Sequence, residues 1–346
     1  MAIYYVRATG GSDGNGGASF GDGWATLAYA LSNISADDEL RICSTSSAVF
    51  TTTVNTVIGL AKVRLVGANM TDGSAYAGTG KAYVVAGAAM TALLTTVYAN
   101  IQVEDIDLDG DANADDCFYH SQANNPFNVS FVNCNFHDAI DHGVHLLGYT
   151  TTTPINADMG FHGCNIYDNG SDGFHSESTG SNQNVPVTLN DCAIYDNGGE
   201  NVNSYNSCAL TVINCRIFGA TNSGIRYYGS IKIVNTVLYG NGSHGIDHEG
   251  YDVKANIFNC IISGNGGWGF STASGTNYPW YQGGYNCWYN NTSGNLHANI
   301  NGGTIPGSSN ITSDPLFVSV ASGSEDFSLQ AGSPCRSVGI GFSGGK

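Results

Sequence analysis

Between residues 101 and 275 apolar and polar positions return at fixed offsets within a unit of roughly two dozen residues. Six segments align without gaps. They are Phe131-Val-Asn-Cys-Asn-Phe-His-Asp, Phe161-His-Gly-Cys-Asn-Ile-Tyr-Asp, Leu189-Asn-Asp-Cys-Ala-Ile-Tyr-Asp, Val212-Ile-Asn-Cys-Arg-Ile-Phe-Gly, Ile233-Val-Asn-Thr-Val-Leu-Tyr-Gly and Ile257-Phe-Asn-Cys-Ile-Ile-Ser-Gly. With Cys134, Cys164, Cys192, Cys215, Thr236 and Cys260 set as position 0, the intervals are 30, 28, 23, 21 and 24 residues. Ile106 opens the series and Asn286-Cys287 is a weaker last member. Such a period predicts an all-β chain wound as a single parallel β-helix, one turn per repeat.

Each column has a physical reading. Position −1 (Asn133, Gly163, Asp191, Asn214, Asn235, Asn259) holds residue types that tolerate left-handed backbone, so a sharp bend belongs there. Position +2 (Phe136, Ile166, Ile194, Ile217, Leu238, Ile262) is an inward apolar stack, as is +10 (Val144, Phe174, Val202, Ile225, Ile246, Phe270). Positions +5 and +6 (Asn169-Gly170, Asn197-Gly198, Asn241-Gly242, Asn265-Gly266) read as a second corner. The pattern predicts two short strands and two corners per turn, with a variable loop from about +14 to −6. Position 0 then forms an interior file of free thiols, since one member is Thr and neighbours stand about 4.8 Å apart. Cys43, Cys117, Cys208 and Cys335 lie off that file, and their role stays open.

The ends depart from the repeat. Trp24-Ala-Thr-Leu-Ala-Tyr-Ala-Leu31 has helical spacing and precedes the strand-like Glu39-Leu-Arg-Ile-Cys. A short helix within residues 1–40 is therefore expected to cap the open end of the solenoid. The β-helix is expected over 41–290, with an irregular close over 291–346.

Composition agrees with this reading. Only 11% of residues are charged, 42% are apolar and 47 are Gly, which suits strands and turns better than helices or disorder. The 28 acidic and 11 basic side chains leave a net charge of −17. That excludes a basic footprint for nucleic acid and a polybasic membrane anchor. No apolar stretch approaches the roughly 20 residues of a membrane span. The opening Met-Ala-Ile-Tyr-Tyr-Val has neither a basic region nor an apolar signal core.

The chain resembles the pectate-lyase-like superfamily of right-handed parallel β-helices. The opening Tyr4-Tyr-Val-Arg-Ala-Thr-Gly-Gly-Ser-Asp-Gly-Asn-Gly-Gly with Trp24-Ala-Thr-Leu is similar to the start of many such proteins. The close, Ser313-Asp-Pro-Leu-Phe-Val with Asp326-Phe-Ser-Leu-Gln-Ala-Gly-Ser-Pro-Cys, is similar to their last turn. The resemblance implies fold more than function, because the superfamily holds polysaccharide lyases, hydrolases, epimerases and phage tailspikes. It also implies a binding groove along one strand face.

The counterpart here is +9 to +13, where +11 and +13 alternate outward. Position +11 carries His145, His175, Asn203, Arg226, Asp247 and Ser271; position +13 carries Leu147, Glu177, Tyr205, Tyr228, Glu249 and Ala273. Tyr205 and Tyr228 are expected to stack as a platform for a sugar ring, with His145 and Asn203 as further substrate contacts. Asp247 and Glu249, two apart on a strand and so about 7 Å from each other, match the carboxyl separation of an inverting glycosidase, about 6.5–9.5 Å. Arg226 can bind a substrate carboxylate, and His175 with Glu177 forms a second acid/base group. The bland reading stays open: an outward face is polar anyway, and Arg226 beside Asp247 offsets like charge in a structural ladder. His248, at +12, is expected to point inward as a core histidine.

One acidic cluster stands apart, comprising Asp105, Asp107, Asp109, Asp111, Asn113, Asp115 and Asp116. Its Asp107, Asp109 and Asp111 are the residues that would hold calcium, which takes oxygen ligands; alternating Asp on a solvated strand is the plainer account. Two functional expectations follow. The first is a phage virion surface protein (tailspike, fibre or capsid decoration), located on the virion, contacting other virion proteins, homo-oligomeric (a trimer being one form), and binding cell-surface glycan. The second is a secreted polysaccharide lyase or glycoside hydrolase. A flat adhesin or ice-binding face is disfavoured because the outward columns are chemically mixed.

Overall fold

A computed structural model describes residues 1–96, 100–122, 128–148, 158–178, 186–205, 209–250, 254–272, 280–300, 303 and 309–337. Successive turns pair strand on strand in parallel, building three sheets of eleven, ten and ten strands along the solenoid. The first sheet takes positions −6 to −2, as in Asn128–Val132 and Asp158–His162. The second takes +1 to +3, as in Asn135–His137 and Asn165–Tyr167. The third takes +8 to +14, as in His142–Gly148 and Phe174–Ser178. The register confirms the column alignment. Phe136 lies on Ile166, Ile166 on Ile194, Ile194 on Ile217, and so on to Ile262 on Trp288.

Three strands per turn replace the two expected from the sequence. The overlooked strand ends at the −1 corner, and its alternation was visible in Val129/Phe131, Met159/Phe161 and Val187/Leu189, all buried. The −1 corner itself is as read: Asn133, Gly163, Asp191, Asn214, Asn235 and Asn259 all have φ between 51 and 63°. The second corner is one residue earlier than expected. Position +4 is the left-handed residue (Asp138, Asp168, Asp196, Gly219, Gly240, Gly264). The Asn at +5 is instead buried beneath the corner.

That buried Asn column holds adjacent turns in register. Asn169 Nδ2 donates to Asn197 Oδ1 (2.9 Å), Asn241 Nδ2 to Asn265 Oδ1 (2.9 Å) and Asn265 Nδ2 to Asn291 Oδ1 (2.8 Å). The same oxygens accept backbone N–H groups of the preceding turn, at Asn169, Asn241 and Asn265. The ladder explains Gly at +9. A Cβ on Gly173 would meet Asn197 Nδ2 at 2.6 Å and the Asn201 carbonyl at 2.8 Å. Two of the six turns lack the Asn, at Ala139 and Ala220, and at the second both rules break together. Ala220 stands where the Asn should be, and Asn201 stands where the preceding Gly should be. Asn201 accepts from Asn197 Nδ2 (2.8 Å) and donates to Asn241 Oδ1 (3.2 Å) and the Phe218 carbonyl (2.8 Å), so the file continues through it.

The interior is apolar and close-packed. Cys134, Cys164, Cys192, Cys215 and Cys260 are buried free thiols, as the Thr in their file suggested. Cys134, Cys164, Cys192 and Cys215 each approach a carbonyl of the preceding turn (Val103, Phe131, Phe161, Leu189) at 3.4–3.6 Å. Thr236 fills its place in kind, donating to the Val234 carbonyl and accepting from the Cys215 N–H. Cys287 is outside the file; it pairs with Ile261 at +1, and Asn286 takes position 0. Cys43, Cys117 and Cys335 are buried free thiols too, while Cys208 lies outside the described residues.

The N-terminal end is covered, and the C-terminal segment folds back along the side of the solenoid. Ile3–Arg7 is the first strand of the first sheet, paired with Glu39–Cys43. The capping helix is Leu27–Asn33, with Thr26 as N-cap and Leu27, Ala30 and Leu31 buried. Trp24 precedes it, stacked on Tyr4 at 5.2 Å. At the other end the hairpin Phe317–Ser319/Asp326–Leu329 lies against the outside of the second sheet. There Phe317, Phe327 and Cys335 cover the outward apolar residues Phe218, Val237, Ile261 and Cys287. No helix among the described residues is long and apolar enough to cross a membrane.

The reciprocal exchange at 201 and 220 makes a test. Asn201→Gly alone leaves buried amides unpaired and is expected to cost about 2–3 kcal/mol in urea unfolding. Adding Ala220→Asn restores the regular ladder and should recover most of that loss; a double variant no more stable than the single one refutes the ladder. Burial also pushes thiol ionisation up, to about 12 at Cys43 and Cys260. Peptide mapping after iodoacetamide should find the nine buried cysteines unmodified in the native protein and alkylated once it is unfolded.

Candidate active site

The outward face of the third sheet collects the ionisable side chains. Its strands stack His145 on His175, His175 on Asn203, Asn203 on Arg226 and Arg226 on Asp247. Position +13 continues the same face, with Leu147 on Glu177. Beyond the strand ends, the amides of Tyr205, Tyr228 and Glu249 still bond to the preceding turn, at 2.7, 3.0 and 3.0 Å. All nine residues predicted for catalysis and substrate contact therefore lie on one face. The alternate +12 residues point inward, and His248 is fully buried.

The face has a third column, +8, which sequence reasoning passed over. It holds Asp116, His142, Asp172, Glu200, Ser223 and His244. Asp116 and His142 are register partners on the third sheet. The available signal was an acidic or imidazole side chain immediately before the +9 glycine, as in His142-Gly143, Asp172-Gly173 and His244-Gly245.

These residues form two connected groups. In the first, each of two histidines is anchored by a buried aspartate. His145 Nδ1 lies 3.0 Å from Asp116 Oδ2, and His175 Nδ1 lies 2.7 Å from Asp172 Oδ2. An ionised carboxylate accepts only, so Nδ1 carries the hydrogen in both rings. Their Nε2 atoms face the two oxygens of Glu177, at 3.7 Å from Oε1 and 3.9 Å from Oε2. His142 walls the group, stacked on His175 at 4.5 Å, with its Nδ1 accepting the Asp172 N–H. Burial disfavours charge on His145, but Asp116 and Glu177 outweigh it and raise its pKa. Burial and the facing His175 lower that of His142.

The second group centres on Arg226. Its guanidinium lies 3.8 Å from Glu200, 3.3 Å from Glu249 and 3.1 Å from the Tyr228 hydroxyl. Burial and the adjacent Asp172 carboxylate push Glu200 up to about 7, against the pull of Arg226. Asp172 goes the other way. Burial opposes its charge, yet hydrogen bonds from His175, Asn203 (2.9 Å) and the Glu200 amide (2.9 Å) bring it down to about 2. Two neighbouring carboxyls are thus driven apart, Asp172 downwards and Glu200 upwards towards neutrality. Burial and then Glu249 raise Asp247, in spite of His244 and Arg226. Tyr205 and Tyr228 meet at 4.3 Å with planes at 61°, an edge contact where a flat stack was expected.

The acidic cluster is divided between sheets: Asp107 and Asp109 lie on the second sheet, while Asp115 and Asp116 lie on the third. Asp107 is buried and accepts from Asn135 Nδ2 (2.5 Å) and His137 Nε2 (2.8 Å). Asp109 Oδ1 accepts the Asp111 amide (2.8 Å), and Asp111 carries the chain round the corner with φ 46°. The carboxylates grouped around His137 Nδ1 are those of Asp109 and Asp138.

A parallel solenoid of three sheets, carrying one face of paired acids, imidazoles and tyrosines, defines a β-helix protein. The chain belongs to the right-handed β-helix family, whose "Right handed beta helix region" matches residues 117–304. It is similar to the crystal structure of pectate lyase Pel9A, with TM-score 0.62 and 15% identity over 96% of this chain and 90% of that one. It is also similar to a rhamnogalacturonan lyase (TM-score 0.48, 13% identity, 93% and 91% covered). A third match is ORF18 of Geobacillus virus E2 (TM-score 0.46, 14% identity, 85% and 61% covered). No curated protein matches the sequence significantly.

The residues behind the groove predict an acid-labile core. His120 and His248 are buried, and burial lowers each from 6.5 to about 4. The unfolded chain binds these protons more readily, so the stability they sustain is present above pH 6.5 and disappears as pH falls towards 4. The loss is about 3 kcal/mol for each histidine. His137, raised to about 9 by Asp107 and Asp138 in the face of burial, acts in the separate window between 6.5 and 9. The urea midpoint should drop between pH 6.5 and 4, and His248→Gln should make that drop smaller; an unchanged drop contradicts the assignment.

Proposed function

We propose that the outward face of the third sheet is the active groove of a glycan-processing enzyme, and that it hydrolyses a largely uncharged glycan. One observation carries this: Glu200 and Glu249 flank the Arg226 guanidinium on the same face, at 3.8 and 3.3 Å, and burial beside the Asp172 carboxylate raises Glu200 towards neutral pH. A general acid must keep its proton at the working pH and yield it to a leaving oxygen. Glu249 lies across the Arg226 guanidinium from Glu200. With one guanidinium bridging them, the two carboxyl groups are spaced as an inverting pair requires, roughly 6.5–9.5 Å, in this reading. Glu249 is then the base that activates water, and Tyr205 and Tyr228 offer an apolar edge to a sugar ring.

The choice of hydrolysis over elimination rests on charge. A net charge of −17 repels a polyuronate at long range, and Arg226 is the one Lys or Arg in the three columns of the face. The fold likeness to a pectate lyase supports glycan chemistry in general and leaves the bond undecided. A virion surface protein that binds glycan without cleaving it would use the same groove. Its virion location, virion partners and homo-oligomeric form belong to that second reading.

Incubation with neutral and uronate glycans separates these readings. New reducing ends without unsaturated ends are expected. Activity should fall above about pH 7, and Glu200→Gln should lower it by about 10²–10⁴-fold. Unsaturated ends would make the protein a lyase. Glycan retention with no product would leave a binding protein, and neither binding nor product removes the groove.

A further inference from the structure

The Asp116–His145 and Asp172–His175 pairs have a geometry that general acid–base chemistry does not require. Both rings use Nδ1 to hold a buried aspartate and aim Nε2 at the same place, in front of the two Glu177 oxygens. His145 Nε2 is buried and has no hydrogen-bond partner. We propose that His145 Nε2, His175 Nε2 and Glu177 form a site for a divalent transition-metal ion of the zinc class, with Asp116 and Asp172 as the outer shell.

The distances support this. Donor atoms of the three side chains lie within 4.8 Å of one another. Ligands about 2.1 Å from a tetrahedral ion stand roughly 3.4 Å apart; each Nε2 is within a few tenths of an ångström of that distance from one Glu177 oxygen, at 3.7 Å from Oε1 and 3.9 Å from Oε2, and binding draws the donors in from within 4.8 Å. Histidines that bind metal through one nitrogen commonly donate the other N–H to a carboxylate, which fixes the ring and raises ligand basicity. Both aspartates do this from buried positions, and both are tied to the next turn by backbone, Asp116 Oδ1 from the His142 amide and Asp172 Oδ1 from the Glu200 amide.

The donor set decides the ion. Imidazole nitrogens with one carboxylate suit zinc and its neighbours, whereas calcium takes oxygen. Glu177 is 40% exposed, leaving the fourth position towards the groove for water or a glycan hydroxyl. The ion would also offset the carboxylates of Asp116, Asp172 and Glu177, which among the described residues pair with imidazoles and with no Lys or Arg. His142 is not a ligand here, because its Nδ1 is committed to the Asp172 amide. This site stands apart from whether the groove cleaves a glycan, and its test reads no catalytic product.

The full chain, stripped with chelator, should bind one Zn²⁺ in calorimetry and one Co²⁺ with a visible spectrum of nitrogen and oxygen ligation, free of thiolate charge transfer. Calcium should not compete. His175→Ala and Glu177→Gln should each weaken binding at least tenfold, and Asp172→Asn by about 10–100-fold. His137→Ala, which disrupts the other imidazole–carboxylate cluster, should leave affinity unchanged. Glu177 is part-exposed, so its variant is expected to fold, and circular dichroism checks this. No saturable binding of either ion, a thiolate spectrum, or equal loss in His137→Ala would overturn the proposal.

Discussion

Everything in this protein depends on one constraint: residues at equivalent positions of successive turns lie directly above one another. Parallel strand pairing sets the spacing, and left-handed residues at −1 and +4 close each turn so that it repeats. The buried Asn column binds turn to turn at the second corner, where the backbone leaves the sheets and would otherwise strand N–H groups. Asn201 shows how strict the constraint is. At Ala220, which stands in place of the Asn, the amide arrives from the place of a glycine, and both departures occur together.

Stacking also creates the chemistry. Side chains that are distant in sequence are forced within a strand spacing of each other, and when they are acidic they cannot all be charged. Asp172 and Glu200 resolve this by dividing their protons, one held ionised by three donors and the other left to burial. Arg226 lies between Glu200 and Glu249 and holds the rest of that face together. The same stacking brings two imidazoles together at 86° to each other, His145 held by an aspartate of the turn before and His175 by one of its own turn.

The outward columns were legible because strand alternation and a fixed period leave little freedom: once Val144 and Phe174 point in, His145 and His175 must point out. The inward histidine at 248 followed in the same way. The +8 column was harder to read because it lies at a strand's first residue, beside the glycine, where alternation has not yet begun. Its value appeared only when Asp172 was found bonded to His175, Asn203 and Glu200. The third strand was missed for a different reason. Its alternation was present, but a single left-handed residue joins it to the next strand without a loop to mark the boundary.

By itself the sequence determined the solenoid, its register, its interior thiol file and the face on which polar side chains gather. These follow from short-range rules: which residues accept a left-handed bend, and which side of a strand is dry. Only the tertiary structure decided which outward residues touch. Whether two carboxyl groups share a proton, or two imidazoles face one glutamate, depends on side-chain directions between turns more than twenty residues apart. No local rule carries that information, since it arises when the turns are stacked.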